Sequence, residues 1–123
     1  MDVKGNIGLA YSVSSEEVFA GVRFTGRNAG DPHGIMTVAE YNAVEGINTI
    51  YSGGRFGDYA QMGVDPVDGS TFWFTTEYAG LGSQVTQTRI VAFELRKDSV
   101  DLALEYIISP QNSPSLGVDE YIL

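Results

Sequence analysis

Apolar and polar positions alternate through the first third of the chain. Residues 7–13 carry Ile, Leu, Tyr and Val at every second position, and residues 18–25 repeat the same period of two. This period is typical of β-strands that bury one face. The polar segment between the two runs, SVSSEE, is short enough to join them as a hairpin, and the loop at 26–34 contains glycine, asparagine, aspartate and proline.

A third strand is predicted at 34–41. The spacing of Val38, Tyr41 and Val44 also fits one face of a helix, so both structures stay open for this segment. We favour the strand, because the alternating pattern surrounds it on both sides.

The second half of the chain has the same order of features. Strands are predicted at 59–65, 71–78 and 88–95, with a DPVDGS turn before the second and a glycine-containing loop after it. A further alternating run, Leu102 to Ile108, lies near the C-terminus. The sequence therefore predicts an all-β fold.

The two halves align with each other at one spacing. The matched residues are Gly5 with Gly57, 52 positions apart, and Phe19 with Phe72 and Thr37 with Ile90, each 53 apart. A unit of about 50 residues with three or four strands has the size of a β-propeller blade. We therefore predict two propeller-like antiparallel blades, at 1–53 and 54–97, followed by a C-terminal strand segment at 98–123. Propellers have about four to eight blades, so two form an incomplete propeller whose open edges invite further strands.

Several segments resemble a known repeat in their order along the chain. GNIGLAYSVSS, VFAGVRFTGR, GRFGDYAQMGVDPVDGSTFWFTTEY and TRIVAFEL are similar to the sialidase-like, BNR-type propeller regions of large secreted bacterial proteins. The resemblance implies an accessory propeller of an exported protein and no particular reaction. The segment VDLALEYIISPQNSPSLGVDEYIL resembles the start of an immunoglobulin-like module. The localisation stays unknown, since the chain has no signal peptide pattern.

The chain departs from this family in its Asp-box, S-x-D-x-G-x-T-W. Anchored on Gly69 and Thr71, the box places Asp65 at the serine, Val67 at the aspartate and Phe72 at the tryptophan position. The box stabilises a turn in that family, so it does not indicate catalysis.

Charge and residue usage exclude several classes of function. Sixteen acidic residues against seven basic ones give a net charge of −9, which argues against nucleic acid and anionic membranes as partners. The chain has no cysteine and one histidine, His33, in a turn-like segment, so neither a zinc site nor any other cofactor is predicted. No apolar run is long enough for a membrane span.

Acidic residues are concentrated between positions 58 and 77. Asp58, Asp65, Asp68 and Glu77 could act as acid and base, bind calcium, or cap turns. Turn and solvent roles are favoured, because Asp65 and Asp68 flank a predicted turn and the segment lacks an EF-hand ligand series.

A speculative ligand site comprises residues of the second half. Arg55, Asp58 and Tyr59 could line a groove, although a structural salt bridge is the favoured interpretation for the charged pair. Arg89 could instead pair with Glu77 across adjacent strands. Trp73 with Tyr59 and Tyr78 could stack on a sugar, but a role in the core is favoured for these aromatics.

The favoured function is a non-enzymatic structural or interaction module, with no catalytic residues. It is expected to form a homo-oligomer through exposed strand edges, at Ile7 to Val13 and Leu102 to Ile108. The alternative is a carbohydrate-binding or glycosidase-related propeller fragment, so a carbohydrate or a protein is the expected ligand. A third hypothesis is a short free-standing chain derived from a larger propeller gene, since Met1 falls inside a blade of the repeat.

Overall fold

The fold consists of two antiparallel β-sheets. A computed structural model describes residues 1–50, 55–81 and 86–95, together with the backbone of residues 106–108. The first sheet has the order β1-β2-β3, formed by Ile7–Val13, Gly21–Arg27 and Val38–Val44. The second has the order β4-β5-β6-β7, formed by Gln61–Val64, Phe72–Ala79, Thr86–Phe93 and Tyr106–Ile108. The described residues contain no helix, and the all-β prediction is confirmed.

The segment whose pattern allowed a strand or a helix is a strand, but it starts later than predicted. Strand β3 begins at Val38, because the preceding loop is held in its own hydrogen bonds. Asp31 Oδ2 accepts a bond of 2.8 Å from the backbone amide of Asn28 and another from the hydroxyl of Thr37. Gly34 has a φ of 79° in this loop, a conformation that glycine adopts without strain.

The two sheets share one hydrophobic core between their inner faces. Val22 and Phe24 of the first sheet are fully buried, and they pack against Phe72, Val91 and Phe93 of the second. The ring of Phe24 stacks on that of Phe93 with centroids 4.3 Å apart. Burial of such side chains contributes about 1.5–3 kcal/mol each, so this contact is a main source of stability.

Neighbouring strands of the two layers run in the same direction. Gly8 of β1 lies against the ring of Phe72, and Ser12 Oγ is 3.3 Å from Thr76 Oγ1 of β5. From the first contact to the second, the residue number increases by four in both strands, so β1 lies parallel to β5. The ring of Phe24 in β2 lies against Phe93 of β6, and β2 also contacts β5, so β2 lies across both strands of the second sheet.

The strand β4 extends beyond the first sheet. It pairs with β5 on the side away from β6. The side chain of Met62 in β4 reaches within 3.1 Å of a Cβ built on Gly8 of β1. Among the described strands, β4 therefore lies beneath the edge of β1 that faces away from β2.

Backbone hydrogen bonds join the two predicted units at both ends. The amide of Ala79 donates to the carbonyl of Ala20 at 2.7 Å, and the amide of Ile47 donates to the carbonyl of Ala79 at 2.9 Å. At the other end, the amide of Val3 donates to the carbonyl of Gly69 at 2.8 Å. Within the predicted segment 98–123, Tyr106–Ile108 pairs antiparallel with β6 of the same chain; the remainder of 96–123 lies outside the described residues.

The sequence repeat and the packing relate the strands differently. The spacing of 52 to 53 residues aligns β1 with β4, β2 with β5 and β3 with β6, whereas packing places β1 over β5. Gly5 and Gly57, which the repeat matches, both have positive φ, at 85° and 71°. Phe19 is exposed whereas its match Phe72 is buried, so the repeat does not preserve the environment of this pair.

Candidate functional surfaces

Trp73 and Glu77 lie on the outer face of the second sheet. They alternate along β5 with Phe72, Phe74 and the other side chains that enter the core. Two residues of one face four positions apart are about 13 Å from each other along a strand. The two side chains therefore belong to one surface but are too far apart to act on a single atom.

The indole of Trp73 is held at its polar edge and open at one flank. Its Nε1 donates a hydrogen bond of 3.0 Å to Asp65 Oδ2, which fixes the ring orientation. Gly63 lies opposite Trp73 in β4, and no atom stands within 4 Å of a Cβ built there. The surface beside the half-buried indole is therefore free of side chains on this strand.

The loop before β4 is anchored to the same face. The backbone amide of Gly57 donates to Glu77 Oε2 at 3.0 Å. Arg55 Nε donates to Asp58 Oδ2 at 2.8 Å, and the two side chains form an ion pair, as the favoured interpretation of the sequence predicts. Tyr59 follows in this loop and is 82% exposed. Five of the six candidate ligand residues thus belong to this face or to the loop fixed against it.

Arg89 faces the other way, and the predicted pairing with Glu77 is wrong. Arg89 lies opposite Thr76 in the β5–β6 ladder, whereas Glu77 lies opposite Thr88, so the two charges are on opposite faces of the sheet. The guanidinium of Arg89 instead stands over the ring of Tyr78, with Cζ 5.1 Å from the centroid. In this register, residues of β5 and β6 on one face differ by an odd number, as Glu77 and Thr88 do, whereas Glu77 and Arg89 differ by an even one.

The three predicted platform aromatics do not share a surface. Tyr78 is buried in the core, as favoured, and it donates a hydrogen bond of 2.8 Å to Gln87 Oε1. Trp73 is half-buried on the opposite face, and Tyr59 is exposed. The aromatic surface available to a ligand therefore comprises Trp73 and Tyr59.

The acidic turn between β4 and β5 uses its carboxylates on its own backbone. Asp68 Oδ1 accepts from the amides of Ser70 at 2.7 Å and Thr71 at 2.9 Å, and Oδ2 accepts from the Thr71 hydroxyl at 2.6 Å. The Thr71 hydroxyl, followed by the two amides, lowers the pKa of Asp68. Asp65 accepts from the amide of Val67 at 2.8 Å as well as from Trp73. Both carboxylates thus stabilise the turn, which supports the favoured interpretation of this acidic cluster.

Carboxylates are not grouped as metal ligands in the part of the chain that the structure describes. No set of three or more histidine, aspartate or glutamate side chains there is arranged to hold an ion. Asp65 and Asp68 instead accept hydrogen bonds from nearby backbone and side-chain donors.

A polar cluster that the sequence reasoning did not identify lies on the outer face of the first sheet. Arg23 Nη1 donates to Glu40 Oε1 at 2.6 Å, and the phenol of Tyr11 donates to Glu40 Oε2. The hydrogen bond from Tyr11, followed by that from Arg23, lowers the pKa of Glu40. Partial burial, followed by the bond to Glu40, raises the pKa of Tyr11. This cluster depends on the pairing of Tyr11 with Arg23 across β1 and β2. The alternating pattern predicts both strands but does not define which residues lie opposite each other.

The two edges of the first sheet differ. The edge strand β1 pairs with β2 over seven consecutive residues without a register shift, and it contains no charged residue and no proline. The edge strand β3 contains Glu40, and its pairing with β2 has two register shifts. Ile7 and Leu9 on β1 are 37% and 43% exposed. Charges and bulges are the usual protection of an edge against further pairing, and β1 has neither.

Comparisons of this chain with known proteins found no relative. No family model matches the chain, and neither the curated proteins nor the solved structures contain a match. Among the described residues, no helix is long and apolar enough to cross a membrane.

Proposed function

We propose that this chain is a non-enzymatic structural or interaction module of two propeller-like blades that associates with further copies of itself. The observation that carries the proposal is the one-sided coverage of the sheets. Their inner faces form the shared core, while the outer face of the first sheet exposes Ile7 and Leu9 of the edge strand β1, which has no protective charges. Apolar side chains on an unprotected edge favour association.

The packing direction supports the propeller-like part of the proposal. Facing strands of stacked blades run in the same direction, and β1 has this relation to β5, although the strand that the repeat matches with β1 is β4. In such a stack each blade offers its outer face to the next one. The outer faces of both sheets are then contact surfaces for further blades.

The solution mass tests this proposal. Light scattering coupled to size exclusion should give a mass above the 13.3 kDa of one chain, rising with concentration. The variant Leu9→Lys, which adds a charge to the exposed apolar face, should shift the equilibrium towards the monomer. Ala39→Lys, at an exposed position of β3, is the matched control. A wild-type mass of 13.3 kDa at every concentration would refute self-association.

A carbohydrate-binding or glycosidase-related function is the second candidate. It is favoured by the open flank of Trp73, where Gly63 leaves space beside an indole whose orientation is fixed by Asp65. An aromatic face with an adjacent gap and polar neighbours is a suitable platform for the apolar face of a sugar ring. Glu77 and the Arg55–Asp58 pair would supply polar contacts at the far end of this face.

A glycan array with matched variants tests the second candidate. Binding should be lost in Trp73→Ala and should be weakened in Gly63→Val, whose side chain would occupy the open flank. Thr88→Val, on the same face of β6, is the control. An array and a fluorogenic glycoside panel without signal for the wild type would remove this candidate.

A further inference from the structure

We propose that the loop between β2 and β3 cleaves its own backbone in mild acid, at the peptide bond between Asp31 and Pro32. The Asp31 carboxylate is the nucleophile, Arg27 stabilises the negative charge that develops on the carbonyl oxygen, and His33 donates the proton that the leaving nitrogen requires. The substrate is the chain itself, and each molecule reacts once. This activity goes beyond the proposed interaction module and does not depend on it.

An Asp–Pro bond joins a nucleophile to a suitable leaving group. The side-chain carboxylate can close a small ring onto its own backbone carbonyl carbon, so the attack is intramolecular and the effective concentration of the nucleophile is high. The proline nitrogen leaves as a basic secondary amine. The chain contains two such bonds, at 31–32 and at 65–66, and their surroundings can be compared within one molecule.

Hydrogen bonds fix the nucleophile of the first bond. Asp31 Oδ2 accepts from the backbone amide of Asn28 at 2.8 Å and from the hydroxyl of Thr37. Both donors hold the same oxygen, so Oδ1 is the atom that attacks. The backbone amide of Asp31 donates to the carbonyl of Asn28 at 3.0 Å. Main chain and side chain of the residue are thus both held, which reduces the rotational freedom lost when the ring closes.

Arg27 contacts the bond that breaks. Its Nη2 donates a hydrogen bond to the backbone oxygen of Asp31, which is the carbonyl oxygen of the Asp31–Pro32 bond. The Nε of the same guanidinium is buried and has no hydrogen-bond partner among the described residues. A cation with an unsatisfied donor gains more from a neighbouring oxygen once that oxygen becomes negative, as it does during the attack. The guanidinium therefore stabilises the tetrahedral intermediate more than the intact amide.

The reaction needs only the chain and one water molecule. Asp31 Oδ1 forms a bond to its backbone carbonyl carbon, the bond from this carbon to the Pro32 nitrogen breaks, and the nitrogen takes up a proton from the His33 imidazolium. Asp31 is then a cyclic anhydride, which one water molecule opens to two carboxyl groups. The net change is hydrolysis of one peptide bond, and the fragments are residues 1–31 and 32–123.

The charges around the loop favour the ionised form of Asp31. The hydroxyl of Thr37, followed by the backbone amide of Asn28, lowers the pKa of Asp31, and the positive charge of Arg27 acts in the same direction. The N-terminal segment packs against this loop through a hydrogen bond to the amide of Ala29. The charged residues of the neighbouring elements are Asp2, bonded to Asn6, and Lys4 in that segment, Arg23 and Arg27 in β2, and Glu40, paired with Arg23, in β3. The carboxylate therefore stays ionised to a lower pH than an ordinary aspartate.

Mild acid meets both proton requirements of the reaction. The carboxylate of Asp31 must be ionised while the imidazole of His33, in an exposed part of the loop, must be protonated. Histidine side chains in general take up a proton below about pH 6.5. The rate of cleavage should therefore rise as the pH falls from neutral and should fall again when the carboxylate becomes protonated.

The second Asp–Pro bond lacks these features and is an internal control. Asp65 Oδ1 accepts from the amide of Val67 and Oδ2 from the indole of Trp73, so both of its oxygens are held. Its carbonyl oxygen accepts from the backbone amide of Gly69 at 2.8 Å, a neutral donor, and a valine instead of a histidine follows the proline. Preference for the first bond over the second therefore separates this site from the general acid lability of Asp–Pro bonds.

Intact-mass spectrometry after denaturing chromatography tests the inference. Denaturing separation is needed because β3 pairs with β2, so the two fragments stay together in the fold. After incubation at about pH 5, we expect fragments 1–31 and 32–123, formed at least about tenfold faster than cleavage at 65–66. The chain unfolded in urea at the same pH should lose this preference. A folded wild type that stays intact, or that is cleaved equally at both bonds, would overturn the inference.

Matched variants test the three assigned roles. Asp31→Asn removes the nucleophile and should leave the bond intact, while Arg27→Gln and His33→Gln should each slow cleavage by about tenfold or more. Arg55→Gln, which removes an exposed arginine of another loop, is the control and should react at the wild-type rate. A wild-type rate in any of the first three variants would contradict the mechanism. Neither result affects the solution mass of the uncleaved chain at neutral pH, which tests self-association separately.

Discussion

The two sheets contribute different side chains to the core they share. The second sheet provides rings, among them Phe72, Phe74 and Phe93, while the first provides Phe24 together with the glycines Gly8 and Gly26. A Cβ on Gly8 would meet Phe72 at 3.0 Å, and one on Gly26 would meet Leu95 at 2.5 Å. The large side chains of one layer thus fit where the other layer has none. Complementary size, rather than hydrophobic content alone, sets how closely these sheets approach.

The largest expected loss of stability follows from removing the ring of Phe24, the aromatic side chain that the first sheet contributes to the core. Phe24→Ala leaves a cavity between Tyr41 and Phe93 and should lower the free energy of unfolding by about 3–5 kcal/mol. Urea unfolding followed by circular dichroism measures the change. Phe19→Ala removes the same ring from an exposed position and should cost less than about 1 kcal/mol. Equal losses in the two variants would contradict the assigned core.

Adding a methyl group tests the glycines of the first sheet. Gly26→Ala places a Cβ 2.7 Å from the carbonyl oxygen of Ile7 as well as against Leu95, and should cost about 1–3 kcal/mol through overpacking. Gly63→Ala, in a strand of the second sheet with nothing within 4 Å of the new atom, is the control. Its free energy of unfolding should be unchanged within about 0.5 kcal/mol. A neutral Gly26→Ala would show that the layers are further apart than described.

The acidic turn of the second sheet should make stability sensitive to acid. The pKa of Asp68 is lowered in the folded state, so its contribution is complete above the unfolded value of about 3.9 and is lost as the pH falls through the folded pKa. Urea midpoints measured from pH 6 down to pH 2 should therefore fall less for Asp68→Asn than for the wild type. Identical acid profiles would contradict a role of the ionised carboxylate in the turn.

The polar cluster of the first sheet should give the smallest effect, at the opposite end of the pH scale. The pKa of Tyr11 is raised, so the stability from its neutral phenol is present below the unfolded value of about 10 and is lost as the pH rises through the folded pKa. The difference in urea midpoint between wild type and Tyr11→Phe should therefore shrink above pH 10. A constant difference would mean that ionisation of this phenol has no effect.

Alternation predicted which residues form strands better than where the strands begin. The β2 strand was expected from residue 18, but the side chain of Ser15 accepts from the amides of Glu17 and Val18, and pairing starts at Gly21. The loop bonds of Asp31 delay β3 in the same way. Such local side-chain hydrogen bonds compete with the strand pairing, and the alternation of apolar and polar residues gives no indication of them.

The candidate site was predictable in composition and only partly in arrangement. Arg55 and Asp58 are close to each other because they are only three positions apart in the chain, and the sequence analysis favoured their ion pair. The separation of Glu77 from Arg89 depends on the β5–β6 register, which the loop between the strands sets. The stacking of β1 on β5 depends on how two layers meet, and no pattern along one strand contains that information.

The bond from Trp73 to Asp65 has a practical consequence for spectroscopy. Trp73 is the only tryptophan, and its indole lies on the second sheet, away from the contact between layers. Its emission therefore reports the local state of β5 and the neighbouring turn, whereas far-ultraviolet ellipticity averages over both layers. Coincidence of the two signals during denaturation would establish a single cooperative transition, and an early change in emission would reveal that the turn opens before the layers separate.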